Sequence, residues 1–135
     1  MHGELRKARC GLCGDVREQM DGINLDAVCA QCESKGTMRP HIVWFGKMPL
    51  EQNRIDEALD ACKLFLSIGT SGSVYPAAGF VHDVSTRGRT HTVELNLEPS
   101  LGESLFAERH YGQASQIVPQ HVERLLTGKT NFGTS

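Results

Sequence analysis

The feature that most constrains the fold is a set of four cysteines arranged in two close pairs. Cys10 and Cys13 form the first pair and Cys29 and Cys32 the second, with the spacing C-x2-C-x15-C-x2-C. Two such pairs supply the four thiolates that a tetrahedral zinc ion needs. Because four sulfur ligands leave no open coordination position, the spacing predicts one structural Zn²⁺ ion.

Redox-active dithiols and disulfides are the alternatives for these cysteines. The first residues lack the apolar segment of an export signal, and no apolar run approaches the roughly 20 residues of a membrane span. Disulfides are rare in the reducing cytosol. We therefore predict a zinc-binding module over residues 5–39 of a cytoplasmic protein. Cys62 lies outside the pattern, on the apolar face of a predicted helix with Ile55, Ala58 and Leu59, and is expected to be a core thiol.

Composition argues against a nucleic-acid or membrane partner. The chain has a formal net charge of −2, with 39% hydrophobic and 22% charged residues, as is typical of a globular protein. A zinc-ribbon nucleic-acid binder is disfavoured because acidic residues offset the basic residues of the cysteine module. The balance predicts no direct nucleic acid and no membrane among the partners.

Beyond Pro40 the pattern alternates between strands and helices. Apolar runs predict strands over 41–45, 64–68, 91–96 and 115–118, and helical spacing predicts helices over 51–61, 77–84, 105–109 and 119–126. Such alternation indicates an α/β fold in which helices cover both faces of a parallel sheet. Residues 128–135 are expected to form a flexible tail.

Three segments of this region are candidates for ligand binding. Ligands of open parallel sheets bind beyond the carboxyl ends of the strands. Gly69-Thr70-Ser71 and Asn96-Leu97-Glu98 follow predicted strands, and Gly112-Gln113-Ala114 precedes one. Each segment alone is weak evidence, since glycine and serine often only form a turn. Together they favour a nucleotide, although the fingerprint G-x-G-x-x-G is absent.

These motifs together resemble the sirtuins, the NAD-dependent protein-lysine deacylases. The resemblance runs from His2 to about Leu126, and the Trp44-Phe45-Gly46 and Val74-Tyr75-Pro76 forms look most like class III, which removes succinyl-type and acetyl groups. It implies the C-terminal part of a Rossmann-like parallel sheet beside a small four-cysteine zinc module. The motifs that carry it are His2-Gly3, both cysteine pairs, Arg39-Pro40-His41-Ile42-Val43-Trp44-Phe45-Gly46, Gly69-Thr70-Ser71, Val74-Tyr75-Pro76-Ala77-Ala78 and Asn96-Leu97-Glu98.

The resemblance also implies roles for individual residues. His2 matches the family's catalytic base, which accepts a proton from a ribose hydroxyl of NAD; without the resemblance it would be unremarkable. The implied cofactor-binding residues are Gly69, Thr70, Ser71, Asn96, Leu97, Glu98 and Ala114. The implied substrate-binding residues, between which an acyl-lysine peptide lies as an added strand, are Val43, Phe45, Gly46, Ser73 and Val74. Plain core packing is the alternative for Val43 and Phe45.

The chain also departs from the family's pattern. The family's Gly-rich phosphate loop, its nicotinamide-pocket motif and the Tyr and Arg that recognise acidic acyl groups all precede the His-Gly pair. Lys47 stands where relatives usually have Glu. We therefore expect an N-terminally truncated sirtuin with little activity alone, which associates through exposed sheet surface.

A non-catalytic zinc-containing module that binds peptides or proteins is the alternative function. The expected segments are a catalytic segment 1–4, the zinc module 5–39, the Rossmann-like part 40–127 and the tail 128–135.

Overall fold

A computed structural model describes residues 1–128 of the chain, which divides into two compact units. The first unit is Met1–Asn53 and the second begins at Arg54. Strands β1 (Gly3–Cys10), β2 (Val16–Glu18) and β3 (Met38–Ile42) form an antiparallel sheet of the order β2-β1-β3 in the first unit. The segment boundaries expected after residues 4 and 39 therefore fall inside β1 and β3.

The core of the first unit is very small. Its buried residues are Ala8, Cys10, Cys29 and Met38, and two of these are predicted zinc ligands. Since so little apolar surface is buried, this unit depends on its cysteines for stability.

The strand predicted over 41–45 is wrong. The observed strand, β3, ends at Ile42 and pairs with β1 in the antiparallel sheet. Beyond it the chain turns, with Lys47 N–H donating to Trp44 O at 3.1 Å, and the Phe45 side chain is 99% exposed. Within the described residues 1–128, no strand pairs with the apolar run beyond Ile42.

The second unit has the predicted α/β order. Helix α1 (Gln52–Asp60) spans the division between the units and is followed by β4 (Leu64–Ile68), a 3₁₀ turn (Ala77–Gly79), α2 (Phe80–Thr86), β5 (His91–Asn96), a second 3₁₀ turn (Glu103–Leu105), β6 (Glu108–Tyr111) and α3 (Ala114–Leu126). The strands form a parallel sheet of the order β4-β5-β6.

Two elements predicted near the end of the chain are wrong. Of the helix expected over 105–109, only Leu105 lies in a helical turn, the 3₁₀ turn Glu103–Leu105, and residues 108–109 belong to β6. The strand expected over 115–118 lies inside α3. Ile117, His121 and Leu125 recur at helical spacing and are buried or half-buried, so the short apolar pair 117–118 belongs to a helix. Pro119 is therefore inside α3 rather than in its first turn.

Strand β5 is the centre of the second unit. Its residues Thr92, Val93, Glu94 and Leu95 are all buried. The register places Val93 opposite Glu108 and Leu95 opposite His110, on the face that α3 covers with His121. Thr92 and Glu94 point to the other face, where α2 and the segment between β5 and β6 pack. Helices thus cover both faces of the sheet.

Helix α1 follows its predicted apolar face with one exception. Leu59 is buried and Ile55 and Cys62 are half-buried, whereas Ala58 is exposed. The Cys62 thiol donates to Leu64 O at 3.2 Å. Within residues 1–128 no helix combines the length and apolar character needed to cross a bilayer. Of the tail predicted over 128–135, residues 129–135 lie outside the described part of the chain.

Candidate functional site

The four paired cysteines converge on one point in the first unit. Their Sγ atoms all lie within 4.8 Å of one another, with Cys10 and Cys32 separated by 3.7 Å and Cys13 and Cys29 also by 3.7 Å. A tetrahedral zinc ion with Zn–S bonds of about 2.3 Å places its sulfur ligands about 3.8 Å apart. The four sulfurs therefore fit one zinc ion.

Hydrogen-bond donors around the sulfurs favour the thiolate form that zinc requires. Thr37 Oγ1 lies 3.2 Å from Cys10 Sγ, and Ser34 Oγ lies 3.0 Å from Cys32 Sγ. The Thr37 hydroxyl, aided by backbone N–H groups, lowers the pKa of Cys10 to about 5. Ser34 likewise lowers the pKa of Cys32. Sequence reasoning missed both hydroxyls, whose only signal was their position two and five residues after Cys32.

The pKa of the Cys13 thiol is raised, whereas the pKa values of Cys10 and Cys32 are lowered. A hydrogen bond with the Asp15 backbone favours the Cys13 thiolate, but burial and the neighbouring thiols outweigh it and raise the pKa of Cys13 to about 12. Because several thiolates this close repel one another, ionising one opposes ionising the next. A divalent ion removes this conflict, which supports the structural zinc site.

In the second unit, two strand ends surround a cavity of about 320 Å³. Six of the seven predicted cofactor-binding residues line it together with Pro99 and Leu101, which sequence reasoning missed. The six are Gly69, Thr70, Ser71, Asn96, Leu97 and Glu98.

Asn96 connects the ends of all three parallel strands. Its Nδ2 donates to Thr70 O at 2.7 Å, its Oδ1 accepts from Leu97 N–H at 2.9 Å, and its backbone carbonyl accepts from Gly112 N–H at 2.9 Å. The asparagine therefore orders the segments that follow β4, β5 and β6. The Gly69 N–H donates to Leu95 O at 3.0 Å, so this donor is already paired with the neighbouring strand.

The seventh predicted residue, Ala114, lies outside the cavity lining. It begins α3, two residues after Gly112. The expectation that Gly112-Gln113-Ala114 precedes a strand is wrong, because these residues follow β6. Because β6 is parallel to β4 and β5, a segment that follows β6 lies at the same edge of the sheet as Gly69 and Asn96.

A buried carboxylate, that of Glu94, holds together two segments near this edge of the sheet by hydrogen bonds. Glu94 is fully buried; its Oε1 accepts from Ser100 N–H at 3.2 Å and its Oε2 from the Tyr111 hydroxyl at 3.0 Å. Burial, with the nearby Glu94 carboxylate, raises the pKa of Tyr111 to about 12. Sequence reasoning missed this pair, although a charged residue within an apolar strand was a signal of it.

The remaining predicted residues are distributed between the two units. In the second unit Ser73 and Val74 are exposed, and Ser73 Oγ lies 2.6 Å from Ser71 Oγ. In the first unit Val43 is half-buried and lines a cavity of about 430 Å³. Phe45 and Gly46 are exposed, so core packing, the alternative for Phe45, is wrong.

His2 is exposed, and its backbone is held against the start of the turn after β3. Val43 N–H donates to His2 O at 2.9 Å, and Gly3 pairs with Ile42. Gly3 has a φ of +91°, and a Cβ there would lie 2.1 Å from His41 O. Only glycine allows this close approach, which fixes the backbone of His2 at the edge of the sheet.

Fold and sites together define a class of protein that has a four-cysteine zinc module and a parallel α/β sheet with a candidate nucleotide-binding cavity at the ends of its strands. Residues 1–76 match the sequence profile of the Sir2 family. The chain belongs to this family, as its resemblance to the sirtuins implies.

Curated relatives and solved structures agree with this membership. The chain is 54% identical over 126 residues to an NAD-dependent protein deacylase of Vibrio vulnificus strain YJ016, covering 93% of this chain and 51% of the relative. It is 52% identical over 128 residues to the enzyme of that name from Escherichia coli strain K12, covering 95% and 46%. The chain thus spans about half the length of the curated relatives it matches.

Among solved structures, a Sir2 homolog–NAD complex superposes with a TM-score of 0.77 at 27% identity, covering 96% of this chain and 51% of that one. Sir2Tm bound to a propionylated peptide superposes with a TM-score of 0.67 at 25% identity, covering 96% and 55%.

Proposed function

We propose that this chain belongs to an NAD-dependent protein-lysine deacylase of the sirtuin type, a deacetylase or desuccinylase, and carries its zinc module and part of its cofactor site. One observation carries the proposal: Asn96 joins the ends of the three parallel strands beside a cavity. Six of the residues expected to contact NAD line this cavity. The deacylase names of relatives more than half identical support it.

The cavity suits part of a dinucleotide. Its volume of about 320 Å³ is at the small end of the range for ligand pockets, so it has room for one nucleoside portion. The Glu98 carboxylate is exposed at the rim and can accept hydrogen bonds from ribose hydroxyls, while Thr70 and Ser71 offer hydroxyl donors. NAD, when bound, supplies the ADP-ribose to which the lysine's acyl group is transferred, with release of nicotinamide.

His2 is proposed as the general base of this transfer. Imidazole groups titrate near neutral pH, so histidine can accept a proton from a ribose hydroxyl under ordinary conditions. The exposed side chain of His2 projects from a backbone that Gly3 anchors to β3. This arrangement presents the base to a ligand without burying it.

Acyl-lysine proteins or peptides are the proposed substrates, bound as an added strand along Val43, Phe45 and Gly46 and along Ser73 and Val74. The exposure of Phe45, Gly46, Ser73 and Val74 supports this role, as does the propionylated peptide in the complex of Sir2Tm.

We further propose cytoplasmic residence without nucleic-acid or membrane partners, in agreement with the net charge of −2.

A non-catalytic peptide-binding module is the second candidate. It is favoured by three neighbouring apolar side chains, Trp44, Phe45 and Met48, which are 57%, 99% and 70% exposed. Calorimetric titration with NAD and an acetyl-lysine peptide separates the two. Cooperative binding of both ligands supports the deacylase, whereas peptide binding that is indifferent to NAD supports the module.

A chimera tests the catalytic proposal directly. This chain replaces the segment that it matches in the Escherichia coli deacylase, and release of nicotinamide from NAD is measured with an acetyl-lysine and a succinyl-lysine peptide. We expect activity that His2→Ala lowers by about 10²–10⁴-fold, as for loss of a general base. The control His82→Ala, an exposed histidine of α2, should leave activity unchanged. A folded, zinc-loaded chimera without activity would contradict the proposal.

Asn96→Asp is expected to weaken NAD binding by about 5- to 150-fold in the chimera. The substitution keeps an acceptor for Leu97 N–H but replaces the Nδ2 donor to Thr70 O with a carboxylate oxygen. Two acceptors then face each other, which costs about 1–3 kcal/mol, or about 5- to 150-fold in affinity. Titration with NAD measures the effect, and Asn53→Asp, which is exposed and not part of the cavity lining, is the control. Equal affinity in both variants would count against Asn96 as the organising residue.

A further inference from the structure

A group of titratable side chains lies beneath α3, separate from the sites described above. His91 of β5, Glu108 and His110 of β6 and His121 of α3 meet on the face of the sheet that α3 covers. His91 Nε2 lies 3.1 Å from Glu108 Oε2, and His110 Nε2 is hydrogen-bonded to Glu108 Oε1. The imidazole rings of His110 and His121 lie 5.4 Å apart between centroids. No residue of the proposed deacylase site takes part in this group.

The environment of His121 is unusual for a buried imidazole. The residue is only 1% exposed, and its Nε2 has no hydrogen-bond partner among the described residues. Its Nδ1 lies 3.8 Å from Glu108 Oε1, beyond hydrogen-bond range, and 3.5 Å from the Arg124 guanidinium. Burying a polar ring with such poor partners costs free energy that a neutral apolar ring would not. Packing alone therefore gives no reason for a histidine here.

We propose that Glu108, His110 and His121 form a second metal site, for a divalent ion of the zinc type. One carboxylate oxygen and two imidazole nitrogens are the donor set that borderline divalent ions prefer. The three ligand atoms lie within 4.8 Å of one another, whereas ligands of one such ion are about 3–3.5 Å apart given bonds of about 2.1 Å. Only a small side-chain adjustment is needed, in which Glu108 and His110 separate slightly and His121 approaches.

His91 acts on this site as a positioning residue. It contacts the second carboxylate oxygen, Oε2, and leaves Oε1 to the ion. Hydrogen bonds of this kind orient a ligating carboxylate and strengthen metal binding. The site would fasten the last helix to the edge strand of the sheet, because His121 belongs to α3 and the other two ligands to β6.

The positive charge of Arg124 allows a test in which the proposal predicts tighter, not weaker, metal binding. Its guanidinium lies 3.3 Å from His110 Nε2 and 3.5 Å from His121 Nδ1, so its positive charge is close to the place proposed for the ion. A cation bound there would repel the Arg124 guanidinium. Arg124 is exposed, so its side chain can move into solvent. Removing this charge should therefore tighten metal binding, whereas a role confined to hydrogen bonding predicts no metal effect at all.

The experiment titrates Zn²⁺ into the full chain, purified without a histidine tag and already carrying one zinc ion on its four paired cysteines. Calorimetry should show a second equivalent of zinc. His110→Ala and, with an aromatic ring retained, His121→Phe should each weaken it by about 10–100-fold. Arg124→Gln should tighten it several-fold, and His82→Ala should leave it unchanged. The imidazole NMR signals of His110 and His121, but not of His82, should shift with the second equivalent.

Several results would overturn the proposal. These are the absence of a second equivalent in the wild-type chain, an affinity in His110→Ala equal to wild type, or weaker binding in Arg124→Gln. If His121→Phe does not fold, His110→Ala carries the test, because the side chain of His110 is 25% exposed and its loss leaves the core in place. Loss of the second equivalent in His82→Ala would equally count against the assigned ligands.

Discussion

Cys29→Ala is expected to abolish zinc binding and unfold the first unit. The thiol is fully buried and is one of four sulfurs around a single point. Structural zinc contributes about 10–16 kcal/mol to the folding of zinc-finger peptides at neutral pH, which equals or exceeds the whole stability of a typical domain, about 5–15 kcal/mol. Among the described residues, the buried core around it adds Ala8 and Met38 to the zinc ligands, with Ile23 and Ala27 half-buried against them. This small apolar core is too little to replace that contribution.

Elemental analysis measures the zinc content, and amide hydrogen exchange over Met38–Ile42 reports the folding of the unit. Removing zinc from the wild-type chain with a strong chelator should cause the same loss of protection. The matched control is Cys62→Ala, which removes a thiol of the second unit and should retain one zinc per chain. A zinc-free Cys29→Ala chain whose β3 amides stay protected would show that the metal does not hold this unit together.

Gly3→Ala is the second large effect that we expect. The new Cβ would lie 2.1 Å from His41 O, at a φ of +91° that L-residues rarely adopt. The backbone strain costs about 1–3 kcal/mol and the overlap with a backbone atom about 1–3 kcal/mol more. The pairing of Gly3 with Ile42 should therefore open, and His2 should lose its fixed position.

Thermal unfolding of the zinc-loaded chain measures the stability loss, and the chimera with the Escherichia coli enzyme measures the effect on activity. Gly46→Ala is the matched control for stability, because Gly46 lies in the same unit with a φ of +76° but nothing within 4 Å of its added Cβ. It shares the backbone strain and lacks the overlap. A Gly3→Ala chain as stable as Gly46→Ala would exclude the close approach to His41.

The features that were predictable from sequence depend on local spacing. The zinc ligands follow from the separation of the cysteines alone. Strands β4 and β5 are apolar runs that end at Ile68, just before Gly69, and at Asn96, so the positions of two of the ligand-binding segments were also predictable. Their role required the family resemblance, because glycine, serine and asparagine after a strand are common in ordinary turns.

The parts that sequence reasoning missed depend on contacts between distant residues. Ile117-Val118 looks like a short strand until the buried His121 shows that the apolar positions repeat every four residues. Trp44 and Phe45 look like core residues, yet both are exposed, because in the described part of the chain no strand pairs with this segment and hydrophobic character alone does not decide burial. The contact between Asn96 and Thr70 spans 26 residues, and nothing in either segment alone indicates it.

The connections made by Asn96 have a consequence for how the ligand edge responds to binding. The segments after β4, β5 and β6 are already ordered by hydrogen bonds to one residue. A ligand that contacts them loses little affinity to the immobilisation of loops, since that conformational entropy is lost when the protein folds. The edge is thus preorganised, and little of the free energy of its contacts with a ligand is needed to order these segments.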